Sequence, residues 1–245
     1  MGVGCTGRPP ARRPMKFRSD MTVQLVKHDA SDADVAKAAR VSTIGAEAQD
    51  DGRPVEGLIN FLMRDRHGSP FEHNSMTFLI SAPIFVAREF MRHRVWSYNE
   101  ESARYREIQP VFYVPDQDRH LVQVGKPGAY TVEAGTLAQH DLVERDFYSA
   151  YTWAYQHYTG LLERGIAREV ARSVLPVGIF TSFYATCNAR SLMHFLSLRT
   201  ERKEAVFPSF PQREIEMVAE GMEQHFQTLM PITYDAFTRN GRIAP

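Results

Sequence analysis

Residues 92–105 read R-H-R-V-W-S-Y-N-E-E-S-A-R-Y. The stretch holds Arg92, Arg94 and Arg104, His93, the carboxylates Glu100 and Glu101, the hydroxyls Ser97 and Ser102, and the amide Asn99; only Val95 and Ala103 are aliphatic. So few aliphatic side chains add little to a core, yet the segment carries nearly every hydrogen-bonding group a nucleotide site needs. The arginine forks suit phosphate or carboxylate. Glu100 and Asn99 can take hydroxyl or ring N–H groups, and Trp96, Tyr98 or Tyr105 can cover a ring. Read blandly, the same residues are a helix C-terminus entering a solvated loop, because basic side chains favour a helix's last turn. Three aromatic rings among the charges fit that account poorly and favour a site.

Upstream, 83–93 predicts a helix opened by Pro83 at its preferred first position. Arg88 and Arg92 are four apart on it, and Glu89 lies three and four before Arg92 and His93, so all share adjoining parts of one face. Such a face is either a solvated salt-bridged one, worth little in stability, or the surface that delivers Glu89 and Arg92 to a ligand. Residues 74–82 predict a strand. Before them, H-G-S-P-F-E-H at 67–73 predicts a polar loop in which Gly68 permits the turn and Ser69 and Glu72 offer groups to a ligand. Further back come helices at 55–65 and 33–40, the latter capped by Asp32, and a strand at 22–27. Residues 1–20, rich in Gly, Pro and Arg, predict a disordered leader, with Met15 and Met21 as alternative starts.

Downstream, 106–130 predicts an irregular surface excursion with a strand at 111–114. A long helix follows at 132–163, with Phe147, Tyr151, Ala154, Tyr158 and Leu161 facing inward, and a second at 167–175 carries Arg168 and Arg172 on one face. Residues 180–186 predict a strand. Asn188 stands where a helix N-cap belongs, and the helix to Arg199 carries Arg190, His194 and Ser197 as a polar stripe. A last amphipathic helix runs from 211 to 230.

The totals narrow the function classes. With 245 residues, 43% hydrophobic and 24% charged, the chain has an ordinary globular composition. Its 29 basic and 29 acidic residues cancel, which argues against a general nucleic-acid or anionic-membrane binder and leaves the arginine clusters to a small anionic ligand. No apolar run approaches the ~18 residues of a spanning helix. Two cysteines, Cys5 and Cys187, make neither a disulfide framework nor a zinc site, so a cytoplasmic setting is expected. No G-x-G-x-x-G and no P-loop occur, so a nucleotide would not be held by a glycine cradle.

The R-H-R at Arg92, His93 and Arg94, followed after seven residues by Ser102 and continuing as S-Y-N-E-x-S-x-R-Y, resembles the signature of the flavin-dependent thymidylate synthases. H-G-S-P-F-E-H at 67–73 and N-A-R-S-L-M-H-F-L-S-L-R at 188–199 extend the resemblance over about 22–230. The resemblance implies an α+β fold, an antiparallel sheet flanked by long helices, in one domain over 21–245, assembled as a homotetramer with active sites between subunits. It implies transfer of a methylene group from 5,10-methylenetetrahydrofolate to dUMP, with FAD reduced by NADPH as hydride source and no enzyme nucleophile. By the same resemblance Ser69, Glu72, Arg92, His93, Arg94, Glu100, Asn188, Arg190 and His194 approach FAD. Glu89, Arg92, Glu100, Glu101, Ser102, Ala103, Arg104, Arg172 and Arg199 take dUMP, with Arg199 the catalytic cation. Neither metal, nucleic acid nor membrane is expected as a partner.

Two other classes use the same residues. A non-catalytic nucleotide or RNA-binding module would employ the arginines and rings, and a metallohydrolase would employ His67, His73 and His93. Net charge weakens the first; ligand spacing weakens the second, since residues six apart share no helix face.

Overall fold

The computed structural model describes residues 14–45, 54–126 and 129–245. In chain order these form β1 (Lys16–Arg18), β2 (Thr22–His28), α1 (Asp32–Ile44), α2 (Glu56–Arg64), β3 (Met76–Pro83), α3 (Ile84–Phe90), β4 (Ser97–Glu100) and β5 (Val111–Tyr113). Then come β6 (Val122–Lys126), β7 (Ala129–Glu133), α4 (Leu137–Glu163), α5 (Arg168–Ala171), β8 (Phe180–Cys187), α6 (Ala189–Arg199), α7 (Arg213–Leu229) and α8 (Pro231–Arg239). Short 3-10 turns occupy Ser69–Glu72 and Arg172–Val174.

Contacts within the chain concentrate in two compact units. Of the described residues, the larger comprises those in 20–82, 86–101 and 181–245; the smaller comprises those in 14–19, 83–85 and 102–180.

In the larger unit a four-stranded sheet runs β2-β3-β8-β4, with β2/β3 and β4/β8 antiparallel. β3 is buried at six of its eight positions, as expected for an interior strand covered on both faces. On α7, Ile215, Val218, Ala219, Met222 and Phe226 recur at helical spacing and are fully buried. That helix packs on β2, and a Cβ at Gly221 would sit 3.1 Å from Val23, so the glycine sets how closely the two approach. α6 supplies Leu192, Met193, Phe195 and Leu196 to the same core.

The smaller unit is built on α4. Tyr151, Tyr155 and Tyr158 are buried against Phe112, Val114, Ala171 and Ile179. Phe112 stacks on Tyr151 at 4.9 Å, 17° from coplanar. The inward stripe therefore runs through Tyr155, where the sequence reading placed Ala154.

Several expected boundaries move for local physical reasons. Ser31, not Asp32, caps α1: its hydroxyl accepts the Asp34 N–H. The Asp32 carboxylate instead accepts the N–H groups of Ile232 and Thr233 and the Thr233 hydroxyl, capping α8, a helix beyond the expected last one at 211–230. Pro83 closes β3 rather than opening α3, because the Ile84 and Phe85 N–H groups are already committed to the carbonyls of Ile179 and Val177. α4 begins five residues later than expected, at a Thr136–Gln139 capping box, since the preceding chain forms the β6/β7 hairpin. Of the expected leader, residues 1–13, with Cys5, lie outside the described residues, whereas Lys16–Arg18 pair in parallel with Val111–Tyr113.

Candidate functional site

α3 ends at Phe90, three residues short of the expected His93. Its last N–H groups switch from i−4 to i−3 partners, Arg92 to Glu89 and His93 to Phe90, a tightening common at helix ends. The Tyr98 hydroxyl then donates to the carbonyl of His93 at 2.8 Å, with the Phe90 carbonyl, which also accepts the His93 N–H, at 3.2 Å. Tyr98 and Trp96 are thereby turned into the core, within the ring cluster of Phe90, Phe183 and Phe195, and Trp96 is only 7% exposed. The expectation that either covers a ligand ring is corrected; Tyr105, 79% exposed, keeps that option.

This turn presents His93 to the end of α6. Arg199 Nε donates to His93 Nε2 at 3.2 Å, and its Nη1 forms an ion pair with Glu89, so the face expected to join Glu89 to Arg92 joins it to Arg199. A guanidinium is always a donor, so Nε2 must be the unprotonated nitrogen of His93. Burial, then the positive charge of Arg199 and of His194, push the imidazole down from 6.5 to about 4. At neutral pH this is a neutral acceptor beside a fixed cation. Arg199 Nη2 has no protein partner among the described residues and remains a donor for a ligand.

The sign of the His93 shift yields a prediction. The folded protein resists the proton that the unfolded chain accepts below 6.5, so the stabilisation is complete above pH 6.5 and declines as pH falls towards about 4. The expected loss is roughly 3 kcal/mol across that window. Denaturant melts of the wild type and His93→Gln between pH 4 and 7 check it: the variant should lose most of this slope, and an equal slope in both would contradict it.

The opposite end of α6 holds a second arrangement. The Asn188 side-chain oxygen caps the helix by accepting the Ser191 N–H at 2.9 Å, leaving its amide N–H groups to a ligand. Arg190 divides its guanidinium between the Glu72 carboxylate and the Pro245 carbonyl. Gly68, expected to permit a turn, has an ordinary φ of −77°. It is needed for room instead: a Cβ there would stand 2.6 Å from Arg190 Nε and 2.8 Å from the Pro245 oxygen. Ser69 is exposed at the start of the same 3-10 turn, and His194 is exposed on α6, its ring 6.4 Å from that of His93.

On β4, Glu100 accepts the Thr181 hydroxyl at 2.6 Å and Glu101 accepts the Ser182 N–H at 3.0 Å, which fixes both carboxylates against β8. Arg92 and Arg94 are exposed and lack ion-pair partners among the described residues. These residues, from Ser69 to Arg199, all belong to the larger unit.

Ser102, Ala103, Arg104 and Arg172 belong to the smaller one. Ser102 Oγ accepts the Arg104 N–H at 3.3 Å within a turn, Ala103 is buried, and Arg104 pairs with Glu169 at 3.2 Å in an exposed position. Arg172 is exposed in the 3-10 turn with no ion pair among the described residues. Cys187 is 4% exposed in β8 with its thiol raised well above 9.0 by burial, so it offers no thiolate. The proposed histidine metal set also disperses: His67 stacks on Phe61, and His93 Nε2 is engaged by Arg199. Among the described residues no helix is long and apolar enough to cross a membrane.

What the arrangement can do follows from its donors. Guanidinium forks without ion-pair partners among the described residues, Arg92 and Arg94 in the larger unit and, separately, Arg172 in the smaller, suit phosphates without any glycine cradle. A buried neutral imidazole and a carboxylate orient one further cation, Arg199.

A family model described as thymidylate synthase complementing protein matches residues 24–232. The chain is 65% identical over 234 residues to a flavin-dependent thymidylate synthase of Streptomyces avermitilis, covering 94% of this chain and 95% of the relative. It is 56% identical to one from Tropheryma whipplei over 94% of this chain and 97% of that protein. Among solved structures, a UMP/dUMP methylase, PolB from Streptomyces cacaoi bound with 5-Br dUMP, matches with a TM-score of 0.90 and 58% identity, over 94% of this chain and all of that one (100%).

Proposed function

Because the chain belongs to the flavin-dependent thymidylate synthase family, we propose that it converts dUMP to dTMP by reductive methylation. The balanced reaction takes dUMP, 5,10-methylenetetrahydrofolate, NADPH and a proton to dTMP, tetrahydrofolate and NADP. FAD, reduced by NADPH, supplies the hydride when bound.

The chain's own residues bind, orient and stabilise charge. The donor set fits a flavin dinucleotide: Arg92, Arg94 and the unused Nη2 of Arg190 can meet its phosphates, and the Asn188 amide its polar edges, with Ser69, Glu72, His93, Glu100 and His194 completing the site. Arg104 and Arg172, with Ser102, Glu101 and the backbone at Ala103, suit dUMP, together with Glu89, Arg92 and Glu100. Arg199 holds its charge where negative charge develops on the uracil ring, and Glu89 and His93 keep its fork in one orientation. That pairing is the single observation that best supports the reading. Ser102 binds rather than attacks, because its hydroxyl faces a backbone N–H and has no base beside it. The enzyme works as a cytoplasmic homotetramer whose sites draw arginines from different subunits.

An assay with dUMP, methylenetetrahydrofolate, NADPH and FAD tests the reading, with UMP run in parallel because the methylase neighbour is a UMP/dUMP enzyme. Product should require every component, and no product from either nucleotide would sink the proposal. Ser102→Ala should weaken dUMP binding yet keep about a tenth or more of kcat, as expected when a hydrogen bond, not a nucleophile, is lost. Complete loss of turnover with dUMP binding intact would contradict the binding role.

A further inference from the structure

The segment 241–245 is held along its length by side chains and backbone of the larger unit. The Gly241 carbonyl accepts the Val206 N–H at 3.1 Å. Arg242, 3% exposed, reaches Thr200 Oγ1 at 3.0 Å, just beyond Arg199. Arg66 Nη1 donates to the Ile243 carbonyl at 2.8 Å, and Arg190 Nε donates to the Pro245 backbone oxygen. The segment therefore joins the C-terminal end of α6, at Thr200, to its second residue, Arg190.

We infer that residues 241–245 are a positioning strap for Arg190, which fixes the direction of its guanidinium towards the flavin. The inference rests on the family reading and adds to it a segment outside the three sequence motifs. Arg190 and Glu72 have side chains 46% and 42% exposed, so their ion pair adds little stability and leaves a long side chain free to swing. The Pro245 backbone oxygen, on a buried residue, gives Nε a fixed partner that an exposed, mobile side chain does not. With Nε on that oxygen and Nη1 on Glu72, the planar fork has one orientation, and Nη2 is left to a ligand. Gly68 completes the device, because any Cβ would occupy the space where Arg190 and Pro245 meet. The gain for a ligand is preorganisation: affinity rises when a donor need not be ordered on binding.

Gly68→Ala and Arg66→Ala test the strap from its two sides, and neither residue is one of the proposed flavin contacts. FAD affinity is read by equilibrium dialysis, dUMP affinity by calorimetry, and folding by thermal melts. In Gly68→Ala the Arg190–Pro245 contact must part, and FAD Kd is expected to rise about tenfold, equivalent to ~1.4 kcal/mol. Arg66→Ala should raise it about threefold by freeing the Ile243 carbonyl, and Arg66→Lys, which keeps a donor, should recover most of that. dUMP affinity should stay within about twofold, a separation that general loosening of the fold would not give. Unchanged FAD affinity in Gly68→Ala, an effect there with none in Arg66→Ala, or equal weakening of dUMP would overturn the strap while leaving the family reading intact. Failure of the wild type to bind FAD would overturn both.

Discussion

Arg199→Ala is expected to keep its flavin and lose turnover, with kcat falling at least about 100-fold, the usual result of removing a preorganised donor from developing negative charge. The structure supplies the reason for both halves. Arg199 lies at the far end of α6 from Asn188 and Arg190, so the proposed flavin donors at the helix start keep their partners. At its own end, Arg199 is the common partner of Glu89 and His93. Its removal leaves Glu89 without a cation and removes one of the charges that hold the His93 imidazole low. Histidine titration followed by NMR should therefore show His93 rising in the variant. Arg199→Lys should rescue little, because a single ammonium cannot serve Glu89, His93 and a substrate in the fixed geometry of a planar fork. Loss of flavin together with turnover would contradict this division of α6.

Arg242→Met should cost about 3 kcal/mol, the low end for breaking a buried ion pair, and lower Tm by roughly 9 °C for a chain of this size. The side chains of Arg242 and Glu223 are 2% and 6% exposed and meet at 2.7 Å, and the guanidinium also lies 5.0 Å above the Phe237 ring. Removing the arginine leaves a buried carboxylate, although Arg202 and the Tyr234 hydroxyl still reach it at 2.8 and 3.1 Å. Those residual partners are why the low end applies. Glu223→Leu in the Arg242→Met background should recover part of the loss, since a desolvated pair can be replaced by apolar groups at little cost. Differential scanning calorimetry of the two variants decides the matter, and a shift of less than about 2 °C in Arg242→Met would show that the pair is not a stabilising element.

Elements with a strong local signature were legible in the sequence. Asn188 was placed as a cap because a short side-chain acceptor before a helical stripe has few other uses, and the structure bonds it to Ser191. Strands around β2, β3 and β8 followed from their β-rich composition. Elements decided by distant partners were not legible. Asp32 looks like the cap of its own helix and serves another about 200 residues away. The start of α8 did carry a signal, Pro231 at a first helical position, and the β6/β7 hairpin another, in Pro127-Gly128 between two alternating runs. In the site, residue types were readable but pairings were not. Periodicity offered Arg92 to Glu89, whereas tertiary packing gave it Arg199. Trp96 and Tyr98 looked like ligand platforms because a one-dimensional reading cannot tell a ring beside a ligand from one beside Phe90. The part of segment 241–245 in holding Arg190 had no local signal at all, since it acts through backbone carbonyls.

The central claim is a flavin that passes a hydride from NADPH towards dUMP without an enzyme nucleophile. Its most direct test is the visible spectrum of the FAD-loaded protein under anaerobic conditions, first with NADPH and then with dUMP plus methylenetetrahydrofolate. The flavin absorbance should bleach with NADPH and return only when both substrates are present, with dTMP formed in step. Return of absorbance without dTMP, or dTMP formation from protein free of flavin, would contradict the account.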